Sequence, residues 1–425
     1  MPTLHVVDPK LRGNGGHYLS QHTALLHLCR KQGYAMVSYC HRDFDPAAMP
    51  QGVAVTPLFG LADIPKLSGH YTLDLANTNQ EAHDGLSRLD PALFEPDDLV
   101  FLTSVTADTV VAYGHWLKTV GPAIPCPIGI YCIISSELED TLGRHVRRHG
   151  MVVDDQSFQS LDNVVVPNEV KRSLYRSLFS SLSDDVRKQA VVFYEEPFPT
   201  RTFLDLGGED LRFVHLHSMY SGGEPETAPR SGAAGAHISF LGSGGIGNRE
   251  KGGHMVPDIV AALSSRRRDL RFSLQFGHHA DAVLEAELRQ VAAHLEEHDR
   301  VRLYYGSLDC ATFCSVLEGA DVVVQPYGKG YRHFMSGLFD DCLFLGKVAV
   351  IPRYSKMARW MEHHSLDAPL FDEQEPAAIV AAVEDALDRF EFYQEQFLEA
   401  RRITRAAWAR NNPVTALNKM RAKQS

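Results

Sequence analysis

The sequence predicts an α/β protein of two doubly wound domains, each a mostly parallel sheet with helices on its faces. Three observations carry this. Apolar runs of strand length alternate with helix-length segments along most of the chain, the pattern of parallel strands joined by crossover helices. A stretch rich in Gly, Pro and Ser at 219–236 divides that alternation into two series. The 425 residues are long for one core and comfortable for two domains.

The first series opens with the strand Leu4–Asp8, then a loop Gly13–Gly16 and a helix His17–Gln32 with apolar residues at Leu19, Ala24, Leu25 and Leu28. Gly33 caps that helix and Ala35–Tyr39 is the next strand. Leu99–Leu102 and Ile128–Cys132 follow as strands, with a helix around Thr106–Val120 between them. Val164–Val166, stopped by Pro167, then Ala190–Phe193 and Leu211–Leu216 read as later strands.

Beyond the linker, strands are expected at His237–Leu241, Arg271–Phe276, Val301–Tyr305, Asp321–Gln325 and Val348–Ile351. Helices are expected between them at Val256–Leu263, Ala280–His294, Ala311–Leu317 and Ser336–Leu345. Ala377–Phe390 and Gln394–Trp408 are amphipathic helical stretches, and Pro413 breaks the basic segment that follows. Two such domains place a ligand in the cleft between them, at the carboxyl ends of strands.

A formal net charge of −11 argues against nucleic acid as the main partner, since a phosphate backbone calls for a basic surface. The C-terminus is locally basic through Arg401, Arg402, Arg405, Arg410, Lys419, Arg421 and Lys423. The N-terminus lacks the basic and apolar regions of a signal peptide, and no apolar run approaches the roughly 18–20 residues of a membrane span. The seven cysteines show no framework spacing, and the expectation is a cytosolic protein with reduced thiols. Cys310 and Cys314 lie at helical spacing without a second ligand pair, so they read as packing residues rather than a zinc site. Asp43 and Asp45 could hold a divalent ion, but they follow the second strand, far from the glycine loops, and read as a solvated loop.

The chemistry concentrates in the second series. The strand at Phe240 opens into Gly242-Ser-Gly244-Gly245-Ile-Gly-Asn-Arg249-Glu-Lys251-Gly252 ahead of a helix. Free backbone N–H groups at a helix start, together with a lysine, suit a diphosphate. The strand at Asp321–Gln325 leads through Tyr331 and Arg332 to Ser336-Gly337-Leu338, a helix start with Asp341 one turn in, a carboxylate suited to a ribose diol. A lysine early in a helix opposes the helix dipole, which favours a ligand role for Lys251 over a solvated one. Ser336 also reads as an ordinary N-cap, and Asp341 as a surface acid. Gly15 and Gly16 allow close backbone approach to a phosphate or sugar, and equally a tight strand–helix turn. His17, Ser104 and Ser135 follow or end strands of the first series and are the acceptor candidates. The order of elements and the two glycine loops together point to a nucleotide sugar.

These residues resemble a family. Gly15-Gly16 and the helix to Gly33, with Tyr34-Ala-Met-Val37, look like the first loop and helix of GT-B glycosyltransferases, and are similar more narrowly to the retaining family 4 group. Glu250-Lys251-Gly252, Phe276-Gly277, Val301–Gly306 and Leu317–Asp321 match further elements of that family in order. Of the family's two acidic residues eight apart, Asp341 stands at the second position and His333 at the first, and Tyr331–Gly337 resembles a subgroup that uses Tyr, Arg and Ser-Gly around the phosphates.

The resemblance implies two Rossmann-like domains facing a central cleft: an acceptor domain at 1–218, the linker 219–236, a nucleotide-sugar domain at 237–393, and helices at 394–425 crossing back to the first domain, anchored by Trp408 and Leu417. It implies metal-independent hexosyl transfer with retention, no bound cofactor, and a nucleoside-diphosphate sugar as co-substrate. Lys251, Arg249 and Arg332 carry leaving-group charge. Gly15, Gly16, Gly244, Gly245, Gly277, Tyr331, Ser336, Gly337, Leu338 and Asp341 hold the donor. The acceptor is a glycan, lipid-linked sugar, protein or small molecule, and the basic tail offers a peripheral contact at the inner membrane surface. The rivals are a nucleotide-sugar epimerase or sugar-phosphate synthase on the same fold, and a non-catalytic nucleotide-sugar-binding protein.

Overall fold

The computed structural model describes residues 1–13, 17–60, 71–106, 109–132, 168–194, 211–216, 235–241, 251–276, 300–306, 308–332 and 335–424, with a few isolated positions between 286 and 293. These fall into two compact units. Unit 1 comprises 1–153, 161–219 and 407–425, and unit 2 comprises 154–160 and 220–406. The expected strand Val164–Val166, most of the expected helix Ala280–His294, and all of the linker except Gly235 and Ala236 lie outside the described residues.

Unit 1 is a seven-stranded parallel sheet in the order β3-β2-β1-β4-β5-β6-β7. The strands are β1 (Thr3–Asp8), β2 (Ala35–His41), β3 (Val53–Phe59), β4 (Leu99–Val105), β5 (Ile128–Cys132), β6 (Ala190–Tyr194) and β7 (Arg212–His215). Its central strands are apolar on both faces because helices cover both, so β4 and β5 are buried throughout. The helices are α1 (His17–Gln32), α2 (Tyr71–Leu86), α3 (Val110–Thr119), α4 (Asn168–Ser181) and the short α5 (Asp184–Gln189). The chain runs outward from β1 through β2 to β3, then returns to β4 on the other side of β1. The reversal places a topological switch point between β1 and β4.

Unit 2 repeats the plan with six strands in the order β10-β9-β8-β11-β12-β13. These are β8 (His237–Phe240), β9 (Arg271–Phe276), β10 (Val301–Tyr305), β11 (Val322–Val324), β12 (Val348–Pro352) and β13 (Leu370–Phe371). Its helices are α6 (Val256–Arg266), α7 (Cys310–Gly319), α8 (Gly337–Leu345), α9 (Lys356–His363) and α10 (Pro376–Asp388). Here the switch point lies between β8 and β11. The core runs from Ile238 and Phe240 through Val322–Val324 to Phe339, Trp360 and Phe397.

The chain ends in α11 (Phe390–Asn411) and α12 (Pro413–Gln424). Val414, Leu417 and Met420 of α12 are buried in the unit 1 core with Leu4, Leu25, Leu99 and Phe101, and Trp408 packs half-buried against them. The Tyr34 hydroxyl donates to Asn418, and Arg421 donates to the Tyr34 hydroxyl at 3.1 Å. Among the described residues no helix is long and apolar enough to cross a membrane.

Candidate functional site

The switch point of unit 2 gathers those residues, among the described ones, that the sequence proposes for the donor. Residues 242–250, with Gly244, Gly245 and Arg249, lie outside the described residues, as does Gly277. The chain re-enters at Lys251, half-buried ahead of the single turn Gly253–Met255 that leads into α6. Burial holds the Lys251 ammonium below its usual pKa. Gly252 follows at φ +70°, and a Cβ there would sit 2.1 Å from the Pro326 carbonyl oxygen. No other residue fits, in conformation or in space. Glycine is therefore what lets the backbone at Gly252, ahead of α6, close on Pro326 after β11.

Pro326 begins a polar strap. Its carbonyl accepts from Gln374 Nε2 at 3.0 Å. The carbonyl of Tyr327 accepts from the Tyr354 hydroxyl at 2.7 Å, and the Tyr327 ring stacks on Tyr331 with centroids 4.0 Å apart. The buried Tyr327 hydroxyl lies 3.2 Å from Ser336 Oγ. Burial pushes that phenol well above its usual range. Arg332, on the turn Lys329–Arg332, is exposed, with its guanidinium 5.8 Å over the Tyr354 ring and its carbonyl accepting from Arg359.

Ser336 is the N-cap of α8, its Oγ accepting from the Phe339 N–H at 3.4 Å. The first N–H groups of a helix have no intrahelical acceptor, and the dipole makes that end positive. Leu338 is buried beneath the turn and Gly337 is half-exposed. One turn on, Asp341 is half-buried, with no hydrogen bond or ion pair among the described residues, and burial raises its carboxyl to about 8. It is therefore not an ordinary surface acid. A carboxyl partly desolvated without a partner costs stability, which a ligand diol would recover.

In unit 1, Gly15, Gly16 and Ser135 lie outside the described residues, as does the side chain of His17. Ser104 is fully buried at the end of β4, at φ +55°, beside a register shift between Leu102 and Val105. Its Oγ donates to Asp8 Oδ1 at 2.8 Å, so the hydroxyl turns inward rather than toward an open face. His22 Nδ1 lies 2.9 Å from the Tyr18 carbonyl and 3.7 Å from Asp8 Oδ2, and burial lowers its pKa. Asp8 and His22 were not singled out from the sequence; the usable signal was an acid ending an apolar strand. Tyr327, Tyr354 and Gln374 were also missed, because they meet only through tertiary structure.

All seven cysteines are free. Asp43 pairs with Arg12 at 3.1 Å, and Asp45 caps the turn Pro46–Ala48. Among the described residues no three His, Cys, Asp or Glu side chains are grouped as a metal site.

No protein-family model matches the chain, and no curated protein matches it in sequence. Solved structures do match. The glycotransferase of kitacinnamycin is similar over 99% of this chain and 98% of its own, with 18% identity and a TM-score of 0.57. A UDP-forming α,α-trehalose-phosphate synthase from Burkholderia xenovorans matches over 100% and 98%, with 13% identity and a TM-score of 0.57. The chain has the GT-B fold. A putative UDP-N-acetylglucosamine 2-epimerase from Listeria monocytogenes is also similar, over 98% of each chain with 12% identity and a TM-score of 0.53. At these identities the likeness is one of fold.

Proposed function

We propose that this GT-B protein is a glycosyltransferase that moves a hexosyl group from a nucleoside-diphosphate sugar to an acceptor, with retention and without a metal ion. The observation that carries the reading is the closure of Gly252 on Pro326. It joins Lys251 to a strap that leads through Tyr327 to the α8 N-terminus, one turn from the unpartnered Asp341. A cation, a helix start and a carboxyl are what diphosphate and ribose require. Lys251, with Arg249 and Arg332, carries charge on the departing nucleotide. The N–H groups of Gly337 and Leu338 hold the diphosphate beside Tyr331, and Asp341 takes the ribose hydroxyls. Unit 1 is read as the acceptor domain, with His17 and Ser135 as its candidates; the buried Ser104, bonded to Asp8, is withdrawn from that role. The Burkholderia synthase is UDP-forming, which supports UDP as the first nucleotide to test. The acceptor is a glycan, a lipid-linked sugar, a protein or a small molecule on the cytoplasmic side.

The test is turnover of UDP-glucose and its GDP, dTDP and ADP counterparts over a broad acceptor panel, read as nucleotide release and product anomer by NMR. Release that depends on an acceptor, with the donor's anomeric configuration kept, is the expected result. Nucleotide binding without turnover across the whole panel would leave a binding protein instead. The likeness to the Listeria protein favours one second reading, epimerisation of a nucleotide sugar. Conversion of UDP-N-acetylglucosamine with no acceptor present would select it.

A further inference from the structure

Unit 1 carries an open groove of about 580 Å³ between α2 and α3, lined in part by Asn79, Gln80, His83, Val111 and His115. Asn79 Oδ1 accepts from the N–H groups of Val111 and Ala112, each at 3.0 Å. It caps α3 from the neighbouring helix, since Thr109 makes no side-chain cap bond. Four residues on along both helices, His83 meets His115, with ring centroids 4.9 Å apart and planes tilted by 54°. The equal step of four means that α2 and α3 run parallel, matched turn by turn. His115 is exposed and the His83 side chain is 37% exposed, so solvent reaches both. Among the described residues neither ring makes a hydrogen bond. His83 Nδ1 faces Asp84 Oδ1 at 3.8 Å, and Gln80 Nε2 donates to that same oxygen at 2.8 Å.

Two imidazoles that share an ion bind it at about 2.0–2.1 Å, which puts each ring centroid about 3.2 Å from the metal. At right or tetrahedral angles the centroids are then about 4.5–5.2 Å apart. The observed 4.9 Å lies inside that range. We propose that His83 and His115 bind one divalent transition-metal ion, clamping α2 to α3. Imidazole nitrogen selects zinc, nickel or copper over magnesium or calcium, which choose oxygen. Asp84 Oδ1, held by Gln80, lies 3.8 Å from His83 Nδ1, beyond hydrogen-bond distance, so it adds negative charge beside the pair rather than an orienting bond. Water, or a polar group of a molecule in the groove, completes the coordination. The site is independent of the nucleotide reading.

The experiment titrates the full-length protein with zinc chloride at pH 7.5 by calorimetry, and repeats thermal unfolding with zinc and with magnesium. The wild type should bind one equivalent more tightly than any other, and its unfolding temperature should rise with zinc but not with magnesium. His115→Ala, at an exposed position, should leave unfolding without metal unchanged and weaken that equivalent at least about tenfold. His83→Gln should lose the same equivalent. Equal zinc binding in the wild type and both variants, or no tight equivalent in the wild type, overturns the proposal.

Discussion

Lys251 is a lysine whose ammonium is partly desolvated at the end of a glycine loop, held below its usual pKa by burial. Loss of one charge-stabilising group costs about 10²-fold or more in turnover. Lys251→Ala is therefore expected to lower nucleotide-sugar turnover by about that factor while the unfolding temperature holds; a folded variant with full turnover removes Lys251 from the chemistry. Asp341 offers a sign that pH can read. Burial raises its folded carboxyl from 3.8 to about 8. Its contribution to stability is thus fully present below about pH 3.8, falls as pH rises from there, and is gone above about 8. Asp341→Asn should be more stable than the wild type at pH 9, with the gap closing as pH falls. A ribose diol that donates to the carboxylate favours its charged form. Nucleotide binding at pH 7 should then release protons from the wild type and fewer from Asp341→Asn, measured by calorimetry in buffers of different ionisation enthalpy. Equal proton release in the two proteins would return Asp341 to a structural role.

The elements show why a loop and a helix start meet. Gly252→Ala would force a Cβ into the Pro326 carbonyl and a left-handed backbone on an L side chain, a strain on the order of 1–3 kcal/mol. The expected result is a lower unfolding temperature together with weaker nucleotide binding. A variant that binds as the wild type does would show that the approach of Gly252 to Pro326 is not what shapes the site. The central strands were legible because parallel strands covered on both faces are continuous apolar runs, as Val322–Val324 and Val348–Ile351 are. Edge and amphipathic elements were harder to read. β3 contains Pro57, which suits an edge strand and hides one in the sequence. α2 carries Thr, Asn, Gln and Asp where an apolar stripe would have marked it, and α9 places Met357, Trp360 and Met361 at helical spacing but is shorter than the run from which a helix is read. At the site, Lys251, Ser336 and Asp341 were legible because each has a local pattern. Tyr327 and Gln374 have none: their roles come from the fold bringing Pro326 against Gly252.

At the scale of the whole molecule, the chain builds two sheets, each with its switch point, and then returns its last helix to the first unit. Pro413 starts α12 and contributes no N–H, which suits a first helical position. Removing the residues after Asn412 would strip Val414, Leu417 and Met420 from the unit 1 core and uncover Leu4 and Phe101. Each large apolar side chain lost from a core costs about 2–5 kcal/mol. The truncated protein should melt at a markedly lower temperature with unchanged partition to anionic vesicles. Unchanged stability with lost vesicle binding would make the segment a membrane contact. The most direct test of the central claim, that the switch point of unit 2 holds a nucleoside diphosphate, is calorimetric titration of UDP, GDP, dTDP and ADP into the wild type, Lys251→Ala and Gly252→Ala. One nucleotide should bind the wild type at a single site and bind both variants at least about tenfold more weakly, the scale of one lost charge-assisted contact. No binding by any of the four, or equal affinity in all three proteins, would contradict it.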